Sequence, residues 1–567
     1  MTMFAFRFYK RKRSPEIAPD EIFLDAHNSP RFDTNQFEGR IERPISRTTL
    51  TIFAGVIGLI GCALLAKTFF LQVIKGNDYR TQAENNRLAG SLIFAPRGII
   101  YDRTGTPLAW NESFASSTET TEETFARRLY STSTGIAHIL GYISYPKKDS
   151  AGFYFQESII GLDGIEKEYD ELLAGVPGRR VVEEDALGNT ISESIVNAPD
   201  PGKELTLSLD QRVEDRLGTV MSELATDVGF SGGASVIMDV HTGEILALVS
   251  IPSYDAQVMS DGDNDELIES YNENPLKPFL NRAISGRYTP GSIMKPFVAI
   301  GALSEKVISP EKEIYSDGAL RVPNPYNPDK PTIFKDWKAH GWTDMRRAIA
   351  VSSNVYFMTI GGGFGDQRGL GISGIEKYVK MFRIGEPTGI DLLGEVDGTV
   401  PSVAWKKELF PDDPWRIGDT YNTSIGQYGF QVTVLQMVRA LAAVANGGIL
   451  VTPHLVMNDE KPAETLEVSQ EALQIVREGM RQGAIDGTAR ALNYPDLAIA
   501  AKTGTAELGV SKEKVNSWVM GFWPYENPRF AFATVMEKGP VTNIIGSASV
   551  MRRLIDWMRI ETPEYLE

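Results

Sequence analysis

Three short elements, in a fixed order along the chain, carry side chains that together could form and break an acyl bond. They are Ser292-Ile293-Met294-Lys295, Ser352-Ser353-Asn354 and Lys502-Thr503-Gly504-Thr505. They supply a serine hydroxyl with a neighbouring amine, a second hydroxyl with an amide, and a lysine with two threonine hydroxyls. A serine nucleophile needs a nearby base and donors for the developing oxyanion. The combination predicts acyl transfer through a serine ester, on a peptide that ends in a carboxylate.

The first element has the local sequence of a helix start. Tyr288-Thr289-Pro290-Gly291 is typical of a turn, and an apolar run follows Lys295. Pro296 suits the first turn of a helix, where backbone NH groups lack partners. The positive end of the helix dipole favours a developing anion there, and the three-residue spacing brings the Lys295 amine to the face of the Ser292 hydroxyl. The amine can accept the hydroxyl proton only when neutral, which burial and a second nearby cation both favour.

Ser-x-x-Lys spacing alone carries little information. The chain repeats it at Ser144/Lys147, Ser309/Lys312 and Ser511/Lys514, where a surface turn explains it. A capping serine with a solvated lysine is therefore the structural alternative for the first element. The context of Ser292, between a turn and an apolar helix, separates it from the other three pairs.

The second element, Ser352-Ser353-Asn354, interrupts two helical runs. A helix N-cap explains Ser or Asn at such a place, and this reading is compatible with a functional one. In the functional reading, Ser352 relays a proton between Lys295 and the leaving amine. The Asn354 amide hydrogen-bonds a peptide group of the substrate.

The third element ends the apolar, strand-like run Leu497–Ala501. Gly504 permits close approach by another backbone, and a carboxylate-ended peptide could pair with this strand as an added edge. Three side chains could hold its terminus: Lys502, Thr503 and Thr505. The backbone NH groups of Ser292 and Thr505 could form an oxyanion hole. The alternative is a loop lysine with polar neighbours.

Composition narrows the function classes. At 567 residues the chain exceeds one ordinary domain, and its net charge of -17 argues against nucleic acid as a partner. The single cysteine, Cys62, excludes an intramolecular disulfide. The five histidines are scattered without metal-ligand spacing, so we predict no metal and no cofactor.

An apolar stretch at Leu50–Ile74 is long enough to span a bilayer. Lys67 interrupts it near one end, where its stem can snorkel to the interface. Basic residues precede the stretch and place the N-terminus in the cytoplasm: Lys10, Arg11, Lys12, Arg13, Arg40, Arg43 and Arg47. We expect a single-pass protein of the cytoplasmic (inner) membrane with its catalytic part outside. Leu59–Cys62 resembles a lipoprotein processing box, but the apolar run continues past it, which favours an intact helix.

The chain divides into four predicted segments. Residues 1–48 form a polar tail, predicted to be disordered, and 49–74 form the transmembrane helix. Residues 75–202 form a mixed, mostly β module in which 111–134 reads as a loop or small lobe and 77–88 as a helix continuing from the span. Residues 203–567 form a mixed α/β (α+β) domain, with helices on an antiparallel sheet of five strands. The strands come from both ends of that domain: 234–240, 244–250, 498–505, 517–523 and 529–536.

Taken together, the elements resemble the penicillin-binding protein and serine beta-lactamase superfamily. Roughly 60 residues separate the first two elements and about 150 the second pair. Within the superfamily the chain is similar to class B penicillin-binding proteins, the monofunctional D,D-transpeptidases, and to their elongation-type penicillin-binding protein 2 group. Further segments carry this resemblance: Arg97-Gly98, Asp102–Gly105, Leu108-Ala109, Gly164–Glu166 with Tyr169, His340-Gly341, Ser424–Gln427 and Ala445–Gly448.

The resemblance implies an enzyme that cross-links peptidoglycan stem peptides. Ser292 would attack the penultimate D-alanine carbonyl, Lys295 and Ser352 would move protons, and Asn354 would orient the peptide. Lys502 would be a further catalytic residue. It would also hold the carboxylate, together with Thr503, Gly504 and Thr505. Beta-lactams would acylate Ser292. The implied partner is a membrane glycan polymerase of the shape, elongation, division and sporulation family, which would contact the span and a pedestal formed by residues 75–202.

The sequence also departs from the family pattern. Tyr428 and Val434 stand where glycine and proline are usual, and residues 111–141 are shorter than the family's head insertion. Some relatives carry a zinc site that uses cysteine, which this chain lacks outside the span. Two other functions remain open: a D,D-carboxypeptidase or beta-lactamase that uses the same elements for hydrolysis, and a non-catalytic membrane scaffold or beta-lactam sensor.

Overall fold

The computed structural model describes residues 46–80, 88–112, 125–150, 154–184, 190–324, 327, 329–509 and 512–567. They fall into two units, divided after Arg87. In the first unit, an α-helix at Arg47–Phe69 continues as a π-helical turn at Phe70–Ile74. Within the described residues it is the one helix long and apolar enough to cross a membrane. The predicted disordered tail lies outside the described residues up to position 45.

The second unit, Leu88–Glu567, contains the elements described next. Its helices of six residues or more are Gln211–Val228, Ala256–Asp261, Asp265–Glu273, Lys295–Ser304, Met345–Ala350, Asn354–Gly362, Gly371–Met381, Val403–Leu409, Ile417–Thr423, Val434–Ala445, Gln470–Asp486 and Ser547–Glu561. Short helices lie at Ala137–Leu140, Gly164–Glu168 and Asp170–Leu173, with 3-10 turns at Gly291–Met294, Arg490–Leu492 and Pro563–Tyr565.

The central sheet has five antiparallel strands, as the sequence predicts. Their order across the sheet is Ile245–Ile251, Gly232–Asp239, Phe530–Pro540, Lys514–Trp523 and Ala500–Leu508. Strands from the two ends of the domain pair in the middle of the sheet, so the chain between them must leave the sheet and return. That returning chain carries the first two chemical elements and the helices that lie between Ala256 and Asp486.

Both faces of the central sheet are buried, because successive side chains of a strand point to opposite faces. Val236 and Met238 belong to one apolar cluster with the helices Lys295–Ser304 and Val434–Ala445. Ile237 belongs to a second cluster with Gln211–Val228 and Ser547–Glu561. The helix Lys295–Ser304 is buried along most of its length, which fixes the position of the residues at its start.

Two smaller sheets lie in the segment 88–206. One has three strands in the order Leu88–Ile93, Gly178–Glu184, Thr190–Asn197, and the other has four in the order Leu205–Thr206, Ile100–Tyr101, Pro107–Glu112, Arg127–Tyr130. Short two-stranded pairs complete the β-structure: Ile143–Ser144 with Ile160–Gly161, Lys147–Lys148 with Tyr154–Gln156, Ile314–Ser316 with Gly341–Thr343, Ala319–Val322 with Thr332–Lys335, and Ile449–Leu450 with Glu464–Thr465. The predicted boundary at 202/203 stays a prediction.

Two predictions for this segment are wrong in part. Arg127–Tyr130, expected to be loop, is a strand paired with Pro107–Glu112. The strand alternates half-buried and buried residues, but the sequence does not show this alternation, because two of the four residues are arginines. One of them, Arg128, is fully buried. The helix expected over residues 77–88 does not extend to residue 88, because Leu88 begins a strand. Residues 81–87 lie outside the described residues.

A buried ion network joins the strands and helices of this segment. Glu166 accepts a hydrogen bond from Arg97 and one of 2.8 Å from Arg128, and all three side chains are inaccessible to solvent. Burial disfavours the Glu166 charge, but the two guanidinium groups hold its pKa below the usual value. The carboxylate is therefore the shared counter-charge of two buried cations.

Replacing Glu166 with glutamine would leave two buried guanidinium groups with too little negative charge around them. We expect Glu166→Gln to lower the free energy of unfolding by about 3 kcal/mol, measured by urea unfolding of the detergent-solubilised full chain. Glu193→Gln is the control, because Glu193 pairs with Arg180 at the surface and should cost less than about 1 kcal/mol. Equal unfolding midpoints for the two variants would contradict this account.

Candidate active site

The first element forms a tight turn that packs against the edge strand of the central sheet. Gly291–Met294 is a 3-10 turn that leads into the helix Lys295–Ser304, so Ser292 lies at a helix start, as predicted. Gly291 has a φ of +59°, and a Cβ there would lie 2.8 Å from the Thr505 carbonyl oxygen. A Cβ on Gly504 would lie 3.0 Å from the Pro290 carbonyl oxygen. Glycines on both sides thus let the turn and the strand touch through their backbones.

The second element is the junction between two helices, Met345–Ala350 and Asn354–Gly362. Ser353 caps the second helix, and its Oγ accepts a 3.3 Å hydrogen bond from the Tyr356 NH. Ser352 has a φ of +59°, which is uncommon for a residue other than glycine. Ser353 therefore fits the capping interpretation of this element, and Ser352 remains available for the functional one.

The three elements meet at the Ser352 hydroxyl. Lys502 Nζ lies 2.8 Å from Ser352 Oγ, and Lys295 Nζ lies 3.2 Å from it. Lys295 Nζ also donates to the Ser352 carbonyl at 2.8 Å and to Asn354 Oδ1 at 2.7 Å, and Lys502 Nζ donates to the Thr503 carbonyl at 2.6 Å. Four predicted site residues, from three distant parts of the sequence, are thus joined by direct hydrogen bonds.

Burial controls the charge of the two amines. Lys295 is 0% exposed and Lys502 is 1% exposed. Burial lowers the pKa of Lys295 to about 7, against the opposing effect of the Asp336 carboxylate. Burial also lowers the pKa of Lys502 well below its usual value, and a charge on Lys295 lowers it further. One of the amines can therefore be neutral near neutral pH and serve as a base.

Ser292 itself is partly exposed, so its hydroxyl is accessible from solvent. Among the described residues, the Lys295 amine donates to Ser352 and Asn354 rather than to Ser292. Hydrogen bonds of catalytic groups often tighten only when substrate is bound. Thr503 Oγ1 donates to Thr488 Oγ1 at 2.6 Å, and Thr505 is exposed on the strand. The roles of these residues in catalysis or binding stay predictions.

Asp336 is a residue of the site that the sequence alone does not reveal. This residue follows the strand Thr332–Lys335, is 9% exposed, and accepts hydrogen bonds from the Ser353 hydroxyl and from the backbone NH groups of Asn354 and Val355. Nothing in the local sequence marks it, because a carboxylate after a short strand is usually solvated. Only the pairing of that strand brings it to the second element.

Within the described ranges, no group of three or more His, Cys, Asp or Glu side chains is arranged to hold a metal ion. His340 and Asp336 form a buried pair, with Nε2 and Oδ1 3.4 Å apart.

Two family models match the sequence. The penicillin binding protein transpeptidase domain matches residues 233–556, which include all three elements. The penicillin-binding protein dimerisation domain matches residues 118–207. The transpeptidase match covers more than half of the chain and agrees with the predicted enzyme class.

Relatives match this chain over most of their length. The peptidoglycan D,D-transpeptidase MrdA of Escherichia coli is 28% identical to this chain, over 90% of this chain and 93% of MrdA. The structure of penicillin-binding protein PBP2 of Pseudomonas aeruginosa in complex with WCK 5153 is 28% identical, with a TM-score of 0.67, over 84% of this chain and 100% of that one.

A third relative is PBP2 of Helicobacter pylori, solved in complex with MreC. It is 25% identical to this chain, with a TM-score of 0.68, over 84% of this chain and 99% of that one. The expected family is confirmed by the domain match, by these relatives and by the fold. The chain belongs to the family of penicillin-binding protein transpeptidases.

Proposed function

We propose that this protein is an elongation-type peptidoglycan D,D-transpeptidase that cross-links stem peptides through an acyl-enzyme on Ser292. One observation supports this most strongly: the Ser352 hydroxyl lies within hydrogen-bond distance of both buried amines, Lys295 and Lys502, and Lys295 follows the partly exposed Ser292 by three residues at a helix start. The match to MrdA over nearly its full length favours the elongation type.

Acylation uses these groups in a defined order. Ser292 Oγ bonds to the carbonyl carbon of the penultimate D-alanine, and its proton passes to neutral Lys295. The carbon–nitrogen bond to the terminal D-alanine then breaks, and the leaving amine receives a proton through the Ser352 hydroxyl. The Ser292 and Thr505 NH groups face the developing oxyanion. An amine of a neighbouring stem peptide later attacks the ester and releases Ser292.

The carboxylate of the substrate has a natural partner in Lys502. Burial and the charge on Lys295 both lower the pKa of Lys502, and an anion bound nearby acts against this effect. Binding of the D-alanine carboxylate therefore favours the charged form of Lys502. Thr503 and Thr505 supply hydroxyls on the same strand, and Asn354 presents its amide to the peptide.

The same groups could support hydrolysis or the binding of beta-lactams without turnover. Neither alternative is favoured by a specific observation, and the nearly full-length similarity to a transpeptidase favours transfer to an amine. The products separate the alternatives. A transpeptidase releases D-alanine and forms cross-linked dimers, a carboxypeptidase releases D-alanine without dimers, and a scaffold releases none.

We further propose that the helix Arg47–Ile74 anchors the protein in the cytoplasmic membrane as a single span, with the N-terminus inside and Leu88–Glu567 outside. The basic residues before the helix support this orientation. The partner proposed is a glycan polymerase of the shape, elongation, division and sporulation family. One relative, PBP2 of H. pylori, has been solved in complex with MreC.

Labelling with a fluorescent penicillin tests the nucleophile. Ser292→Ala should abolish covalent labelling, because no hydroxyl remains at the helix start to form the ester. Ser309→Ala is the control, because Ser309 has the same spacing to a lysine but only bonds Glu311 in an exposed turn. Retained labelling of Ser292→Ala, or loss of labelling in the control, would contradict the assignment.

The pH dependence of acylation tests the base. Lys295 accepts a proton only when neutral, so the rate constant for penicillin acylation should fall as pH drops through about 7, by about tenfold for each unit well below that value. The measurement is stopped-flow or gel-based acylation between pH 5 and 9 with the detergent-solubilised chain. A rate constant that stays level down to pH 5 would show that Lys295 is not the base.

A further inference from the structure

Asp336 lies where it can control the second element without touching substrate. Its side chain is inaccessible to solvent and lies just after the strand Thr332–Lys335. Oδ1 accepts hydrogen bonds of 2.9 Å from the NH groups of Trp337 and Asn354. Oδ2 accepts from Ser353 Oγ at 2.9 Å, the Val355 NH at 3.0 Å and Ser316 Oγ at 3.3 Å. The carboxylate therefore joins two strand segments to the element that carries Ser352.

Three of these donors belong to the start of the helix Asn354–Gly362. The first NH groups of a helix have no partner within it, and a carboxylate placed there is favoured by the helix dipole. Ser353 already acts as the N-cap, so Asp336 satisfies the NH groups that the cap leaves free. The position of this helix start is thus fixed by Asp336, a residue outside the helix.

The consequence for Ser352 is conformational. Its φ of +59° is sparsely populated by serine, and such a conformation persists only where neighbouring contacts determine it. Asp336 accepts hydrogen bonds from the three residues that follow Ser352 in the sequence, Ser353, Asn354 and Val355. Asn354, held by its NH, in turn accepts a hydrogen bond from Lys295 through Oδ1. Two of the three groups bonded to the Lys295 amine, Ser352 Oγ and Asn354 Oδ1, are therefore positioned through contacts with Asp336.

Charge adds a second effect. Burial opposes ionisation of Asp336, but His340, the Val355 and Asn354 NH groups and Lys295 together hold the pKa of Asp336 well below its usual value. The anion in turn acts against the burial that lowers the pKa of Lys295. In the part of the chain that the structure describes, the other charged or titratable groups that face these two residues are His340, beside Asp336, and Lys502, across Ser352.

We propose that Asp336 is a positioning residue for acylation, whose carboxylate holds Ser352 and Asn354 in the conformation in which they bond the Lys295 amine. This inference rests on the proposed function, because it concerns the same serine acylation. It assigns to the segment after Thr332–Lys335 a part in catalysis that the three elements alone do not show.

Asp336→Asn tests this in the detergent-solubilised full chain. The amide keeps the size but removes the charge and turns one acceptor into a donor facing NH or OH groups. We expect the acylation rate constant with fluorescent penicillin at its pH optimum to fall by about tenfold or more. The acid limb of the pH profile should move to lower pH, because the charge that raises the pKa of Lys295 is gone. A merely destabilising change would lower the amount of labelled protein without moving that limb.

Two further variants keep the test decisive if Asp336→Asn folds poorly. Ser353→Ala removes one donor to Asp336 but keeps the charge, so it should slow acylation and leave the acid limb in place. Asp317→Asn is the control, since Asp317 is an exposed carboxylate that pairs with Arg321 in the same region, and it should match the wild type. Wild-type rates and acid limbs in both Asp336→Asn and Ser353→Ala would overturn the inference.

Failure of this inference and failure of the proposed function give different results. If the wild-type chain is acylated on Ser292 and Asp336→Asn behaves like it, only the role of Asp336 is wrong. If the wild-type chain is not acylated on Ser292, the proposed function is wrong, and the role of Asp336 with it.

Discussion

The structure depends on one constraint: two lysine amines, both buried, converge on one serine hydroxyl. An ammonium group loses much of its solvation on burial, so two of them within reach of the same Ser352 Oγ cannot both stay charged at little cost. Three features of the site reduce this cost. They are hydrogen bonds from the amines to carbonyl and amide oxygens, a lowered pKa for Lys295, and the buried Asp336 carboxylate next to the second element. A serine beside such a site has a base available near neutral pH.

The fold provides what this constraint requires. Lys502 projects from the edge strand of a sheet whose two faces are both buried, and Lys295 begins a helix packed into the same core. Backbone contact between the glycines of the nucleophile turn and of the strand fixes the spacing of the first and third elements. The second element is fixed from the other side, by its helix and by Asp336. Each lysine is thus held by an element that cannot move without disturbing the core.

Much of this arrangement could be predicted from sequence because local patterns carry it. The strand-like apolar runs predicted the five strands, and a turn before an apolar helix predicted the setting of Ser292. The remaining features depend on contacts between residues that are distant in sequence, and local patterns do not show such contacts. Asp336 reaches the Ser352-Ser353-Asn354 element only through strand pairing, and Arg128 reads as a surface residue although Glu166 neutralises it in the interior. A sequence shows that a side chain is polar but not which distant partner permits its burial.

The most direct test of the central claim is to locate the covalent adduct of penicillin on the wild-type chain by mass spectrometry. After trypsin digestion, the account predicts the added mass on the peptide Tyr288–Lys306, which holds both Ser292 and Ser304. Fragment ions should place it on Ser292, the serine at the helix start, rather than on Ser304 at the helix end. An adduct on Ser304, on Ser352 or on any other peptide would contradict the account.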